Sequence, residues 1–67
     1  MCEANVYIDN YDGKGEILYL ENVDVIRPED GKLFIKNLFG EQKFFDGQIK
    51  EISLIKHKII LTKRQTT

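Results

Sequence analysis

The only cysteine of the chain stands second, in Met1-Cys2. A thiolate is a soft donor that suits nickel, copper and zinc. At position two it sits beside the terminal amine and the first backbone amide. If Met1 is removed, the amine and thiolate of Cys2 close a five-membered chelate ring. If Met1 stays, its amine, the Cys2 amide nitrogen and the sulfur act together. Both arrangements give the mixed nitrogen and sulfur donors that Ni(II) accepts in a square plane. One chain supplies too few ligands. Two chains meeting at a two-fold axis would complete the site, because a two-fold brings the same residue of each subunit to the axis. The plainer alternative stays open: a free cysteine often serves as a small buried apolar side chain.

Other catalytic constellations are missing. There is a single histidine, His57, and no serine-centred elbow. Cys2 with His57 would need a third, orienting group that the sequence does not show, so no enzyme activity is expected. His57 reads as an exposed turn residue between Lys56 and Lys58, with metal ligation a lesser role. Asp9, Asn10 and Asp12 lack the spacing and closing glutamate of a calcium loop. Gly13-Lys14-Gly15 lacks the frame of a phosphate loop.

The chain has 67 residues, one domain of a size at which a metal or oligomerisation commonly adds stability. A lone cysteine fits a reducing compartment. The start has no basic and then apolar leader, and no apolar run nears the ~20 residues of a membrane span. A cytoplasmic protein is expected. Residues 1–31 hold two bases and eight acids, a net of −6, and residues 32–67 eight bases and three acids, a net of +5. Such a split can mark a basic face for nucleic acid, or it can cancel where strands of both halves interleave. The pI of 5.7 favours cancellation. For nucleic acid the candidate contacts are Lys43, Lys50, Lys56, Lys58, Lys63 and Arg64, with Phe34, Phe44 or Tyr7 to stack bases.

The elements that must position these residues are strands. Residues 2–9 alternate, with Cys2, Ala4, Val6 and Ile8 on one face. Asn10 to Gly15 reads as a hairpin loop. Strands are expected over 16–20, 23–27 and 32–36. Glu21-Asn22 is read as a break, Pro28 as a strand end, and residues 28–31 as a turn opened by Pro28. Leu38 and Phe39 lie in an irregular connection, where they plug one end of a barrel or face a partner; plugging is the favoured reading. Residues 43–52 are read as one strand kinked at Gly47. The apolar spacing of three from Ile49 to Ile52 marks a bulge or bend nearby. The last strand covers 58–62, with Ile59 and Leu61 on one face. The expected fold is all-β, a small antiparallel SH3-like or Sm-like barrel of about six or seven short strands over residues 1–62, followed by a polar tail, 63–67.

Read as a whole, the chain resembles the CooT family, named for an accessory protein of nickel-dependent carbon monoxide dehydrogenase. The matching residues are Met1-Cys2-Glu3-Ala4-x-Val6-Tyr7 and Val23-Asp24-x-Ile26-x-Pro28-x-x-Gly31. They continue with Leu38-Phe39-Gly40-Glu41-Gln42-Lys43, Gly47-x-Ile49-Lys50-Glu51-Ile52 and His57-Lys58-Ile59. The resemblance implies a homodimer of small β-barrels that binds Ni(II) through Cys2 of both subunits. It also implies an accessory, metal-handling role toward a nickel enzyme. Only Cys2 carries over as a ligand, with its amide nitrogen or the terminal amine. The family has also been labelled predicted RNA-binding, from the barrel shape, and RNA is the alternative partner. A purely structural or interaction module, with its contact patch at Leu38 and Phe39, is the third reading.

Overall fold

The computed structural model describes residues 3–9 and 15–63. These form six strands and no helix: β1 (Ala4–Asp9), β2 (Glu16–Glu29), β3 (Lys32–Asn37), β4 (Gln42–Phe45), β5 (Gly47–Ser53) and β6 (Lys58–Lys63). All six belong to one sheet in the order β4-β3-β2-β1-β6-β5. The outermost strands, β4 and β5, are separated in sequence by Asp46 alone. The chain can cross from one edge to the other in a single residue only if the sheet is curled so that its edges meet.

Curling is not closure. β4 pairs with β3, and β5 with β6, and the two edge strands do not pair with each other. A strand that continues round one bend residue cannot turn back along itself. The expected closed antiparallel barrel is therefore found as an all-β curled sheet. One of its pairs, β1 with β6, is parallel. The kinked-strand reading of residues 43–52 is close to what the chain does at Asp46.

The 14 residues of β2 replace two expected strands. Residues Glu16 to Val23 pair with β1, and Val23 to Glu29 pair with β3. The supposed break at Glu21-Asn22 is a bend inside the strand. Asn22 adopts a left-handed φ of 55°, a conformation asparagine tolerates better than most residues. Pro28 does not end the strand either. It pairs with Leu33, in the half of β2 that has no strand on its other side, where a missing N–H costs no ladder bond. The turn that follows is made by Asp30 and Gly31, both left-handed, as a two-residue hairpin requires.

The core lies in the concavity: Val6, Leu20, Val23, Leu33, Ile35, Phe45 and Leu61, with Ile8, Tyr19, Ile26 and Ile59 packed against it. Every strand except β5 contributes a buried member. The three-residue spacing of Ile49 and Ile52 has its cause in a bulge at Lys50: Ile49 faces Leu61, and Glu51 faces Ile60. The extra residue sets Ile49 opposite Leu61 and Ile52 opposite Ile59, on one face of the sheet, although both isoleucines stay exposed.

Candidate functional site

Cys2, the expected metal ligand, lies outside the described residues, as does Arg64. What is described is the end of the fold from which the chain start emerges. Glu3 and Ala4 line a hollow of about 330 Å³ together with Ile52, Leu54, His57 and Ile59. His57 is exposed at the close of the β5–β6 turn, with a left-handed φ of 52°. Its carbonyl accepts from the Asn5 amide at 2.9 Å.

A chain of hydrogen bonds runs across this end. The Asn22 amide donates to Asn5 Oδ1 at 3.1 Å. The Asn22 carbonyl accepts from the Leu38 amide at 2.9 Å. The bend in β2 thus ties the start of β1 and the β5–β6 turn to the β3–β4 turn.

That last turn is built on Asn37, 1% exposed. Its Oδ1 accepts from the amides of Phe39, at 3.0 Å, and Glu41, at 2.9 Å. Its Nδ2 donates to Glu41 Oε1 at 2.6 Å and to the Glu21 carbonyl at 3.3 Å. The side chain replaces the neighbours that a turn normally loses. Leu38 and Phe39 are consequently held outward, Phe39 at 74% exposed. The expectation that they plug a barrel end is overturned, because the space beneath them is taken by Asn37. Sequence reasoning missed Asn37. The signal available was an Asn at the mouth of a glycine-containing turn with Glu four residues on.

Three of the described basic candidates have partners within their own chain. Lys43 places Nζ 4.4 Å from the Tyr19 ring centroid and donates to the Tyr19 carbonyl at 3.4 Å. Lys50 pairs with Asp9 at 2.8 Å. Lys58 pairs with Glu16 at 2.6 Å and lies 4.8 Å from the Tyr7 ring. Lys56 and Lys63 are exposed. Lys50 and Lys58 join the basic half of the chain to the acidic half, so interleaved strands do cancel the charge split. Phe34 is buried on the face away from the core, under Arg27 at 4.5 Å and beside Phe44 at 5.3 Å. The aromatic rings proposed for stacking thus already carry contacts from their own chain at Tyr7 and Phe34.

Hydrogen bonds to Asp9 and Glu16 hold the Lys50 and Lys58 ammonium groups above the ordinary lysine value, and burial raises Tyr19. As pH rises the unfolded chain loses these protons first, so the folded state binds more protons and its stability falls. The contribution is complete below the ordinary values of 10.0 for tyrosine and 10.5 for lysine, and is lost as pH climbs through the raised ones. The melting temperature should be level between about pH 7 and 9 with respect to these groups and decline above about pH 10. Replacing Lys50 and Lys58 together by Met should make the alkaline decline shallower. An unchanged slope in that variant would assign the decline elsewhere.

Among the described residues no three His, Cys, Asp or Glu side chains are placed to hold a metal ion, and no helix is long and apolar enough to cross a membrane. Curled sheet, short chain and a thiol at the second position together define a small all-β protein with one cysteine, next to its first residue. Comparison with known proteins makes this specific. The family described as CO dehydrogenase accessory protein CooT matches over residues 1–62, and the chain belongs to the CooT family. An uncharacterised protein of Methanocaldococcus jannaschii is 34% identical over 61 residues, which span 91% of this chain and 96% of the relative. The crystal structure of a CooT candidate from Carboxydothermus hydrogenoformans is similar at a TM-score of 0.86 and 38% identity, covering 96% of this chain and 100% of that one.

Proposed function

We propose that this chain is an accessory protein that handles Ni(II) for a nickel enzyme such as a CO dehydrogenase. The ion is cargo, shared between two copies through the Cys2 thiolate of each. The observation that carries this reading is a unique cysteine at position two in a chain that matches the CooT family from its first residue. The donor chemistry fits the ion: a soft sulfur adjoins an amine or amide nitrogen, and two such pairs fill a square plane. Glu3 and Ala4 border an open hollow rather than the core, which is compatible with an accessible chain start. Binding requires the thiolate, so it releases protons and weakens as pH falls. RNA binding, the second reading of the sequence, draws no support from Lys43, Lys50 and Lys58, whose ring and acid partners lie within the chain.

Calorimetric titration with Ni(II) of the untagged chain and of Cys2→Ser checks the proposal. The expected result is one ion per two chains, with affinity reduced about 100-fold or more in the variant, since the thiolate is the soft ligand of the site. Equal affinity in both proteins would end the reading. The far-UV spectrum and melting temperature of Cys2→Ser should match those of the parent.

A further inference from the structure

A sheet edge left unpaired is a template on which another chain can add a strand. The described strands leave four such edges, and three are blunted. β4 is four residues long, β5 carries the bulge at Lys50, and the half of β2 that pairs with β3 holds Pro28. The fourth edge belongs to the other half of β2. Residues Glu16 to Leu20 have β1 on one side, and β3 joins β2 only from Val23. The Glu21 carbonyl beyond them is taken by Asn37 Nδ2. The run Glu-Ile-Leu-Tyr-Leu has no Pro or Gly and is rich in strand-favouring residues. Ile17 is 59% exposed and Leu18 45%. This is the composition of a segment that takes up strands from other chains.

In the middle of this run, Tyr19 is the extra residue of a bulge, since Val6 faces Leu20 and Tyr7 faces Leu18. Its carbonyl accepts from Lys43 Nζ at 3.4 Å, and the same ammonium stands 4.4 Å from the Tyr19 ring centroid. Lys43 comes from β4, where it pairs with Ile35, a buried core residue. It therefore points to the apolar side of the sheet and is half-buried, a placement that costs desolvation of a charge. Inward-facing charge is one of the devices that keep edges from pairing. We infer that Lys43 guards the open edge of β2. Its ammonium occupies the Tyr19 carbonyl that an added strand needs, and it sets a cation in that strand's path. An incoming chain must break this hydrogen bond to form its own, so the exchange gains nothing at Tyr19. The role is independent of Cys2 and of nickel.

The test follows aggregation of the full untagged chain by light scattering and thioflavin fluorescence, under reductant so that Cys2 forms no disulfide. Lys43→Met keeps a stem over the Tyr19 ring and removes the charge. Lys43→Gln takes its place if the far-UV spectrum shows that Lys43→Met does not fold. The neutral variant should aggregate at least about tenfold faster than the wild type at equal concentration, and Lys43→Arg should keep the wild-type rate. Adding Ile17→Lys to the neutral variant returns a charge to the edge and should restore the wild-type rate without raising the melting temperature. A neutral variant that aggregates no faster than the wild type overturns the inference. So does a double variant that aggregates as fast as the single one, or is rescued only with a higher melting temperature, because lost stability rather than an opened edge is then the cause.

Discussion

Gly47→Ala should lower the melting temperature by about 12–24 °C, the equivalent of roughly 3 kcal/mol in a domain of this size. The reason is closeness rather than conformational freedom. Gly47 follows the bend residue Asp46 and opens β5, where the two edges of the curled sheet meet. A Cβ at Gly47 would overlap the Thr62 carbonyl oxygen and the Phe45 ring. The carbonyl is backbone of β6, held by its pairing with β5 and β1, and Phe45 is part of the core. Neither can withdraw without opening the seam. A short chain buries little surface and has little stability to lose. Denaturant unfolding monitored by far-UV circular dichroism measures the change. Gly40→Ala is the comparison, since a Cβ there meets nothing within 4 Å and only its left-handed φ of 84° opposes it. If Gly47→Ala costs no more than Gly40→Ala, the seam is not the tight point described.

Local patterns carried the sequence reading a long way. Ile59 and Leu61 share the core side of β6 as their alternation requires, and the three-residue step from Ile49 to Ile52 marked the bulge at Lys50 before any pairing was known. What escaped was non-local. Glu21-Asn22 looks like a loop because both residues are polar, yet Asn22 bends one strand that serves two partners in turn. The parallel pairing of β1 with β6 joins the two ends of the chain, and no turn residue announces such a contact. Leu38 and Phe39 were read inward on hydrophobicity alone; the buried polar side chain that displaces them has no periodicity to betray it. At the candidate site the chemistry of Cys2 follows from residue type and position. Its surroundings lie outside the described residues.

Asn37→Leu should destabilise the chain by about 2–4 kcal/mol, a shift of roughly 10–25 °C. Leucine keeps the approximate volume and removes every polar atom. The amides of Phe39 and Glu41 then lose their acceptor, and the Glu21 carbonyl and Glu41 carboxylate lose their donor. An amide left without a partner costs about 1–3 kcal/mol where water cannot replace it. Some of these groups can reach solvent when the turn opens, which keeps the sum below the full penalty. Asn37→Asp should cost as much by another route. It retains the acceptor but sets a second carboxylate against that of Glu41, now 2.6 Å from Nδ2, and like charges at that range repel. Glu41→Gln preserves an acceptor oxygen at the same place and should cost less than about 1 kcal/mol. Thermal melts rank the three variants, and hydrogen exchange at the Phe39 and Glu41 amides reports whether the turn has opened. The Leu38 amide bonds the Asn22 carbonyl, and Asn22 in turn bonds Asn5. Opening the turn should therefore also speed exchange at Asn22, near the start of β1. Exchange that rises at Phe39 and Glu41 but not at Asn22 would show that the turns of this end move independently.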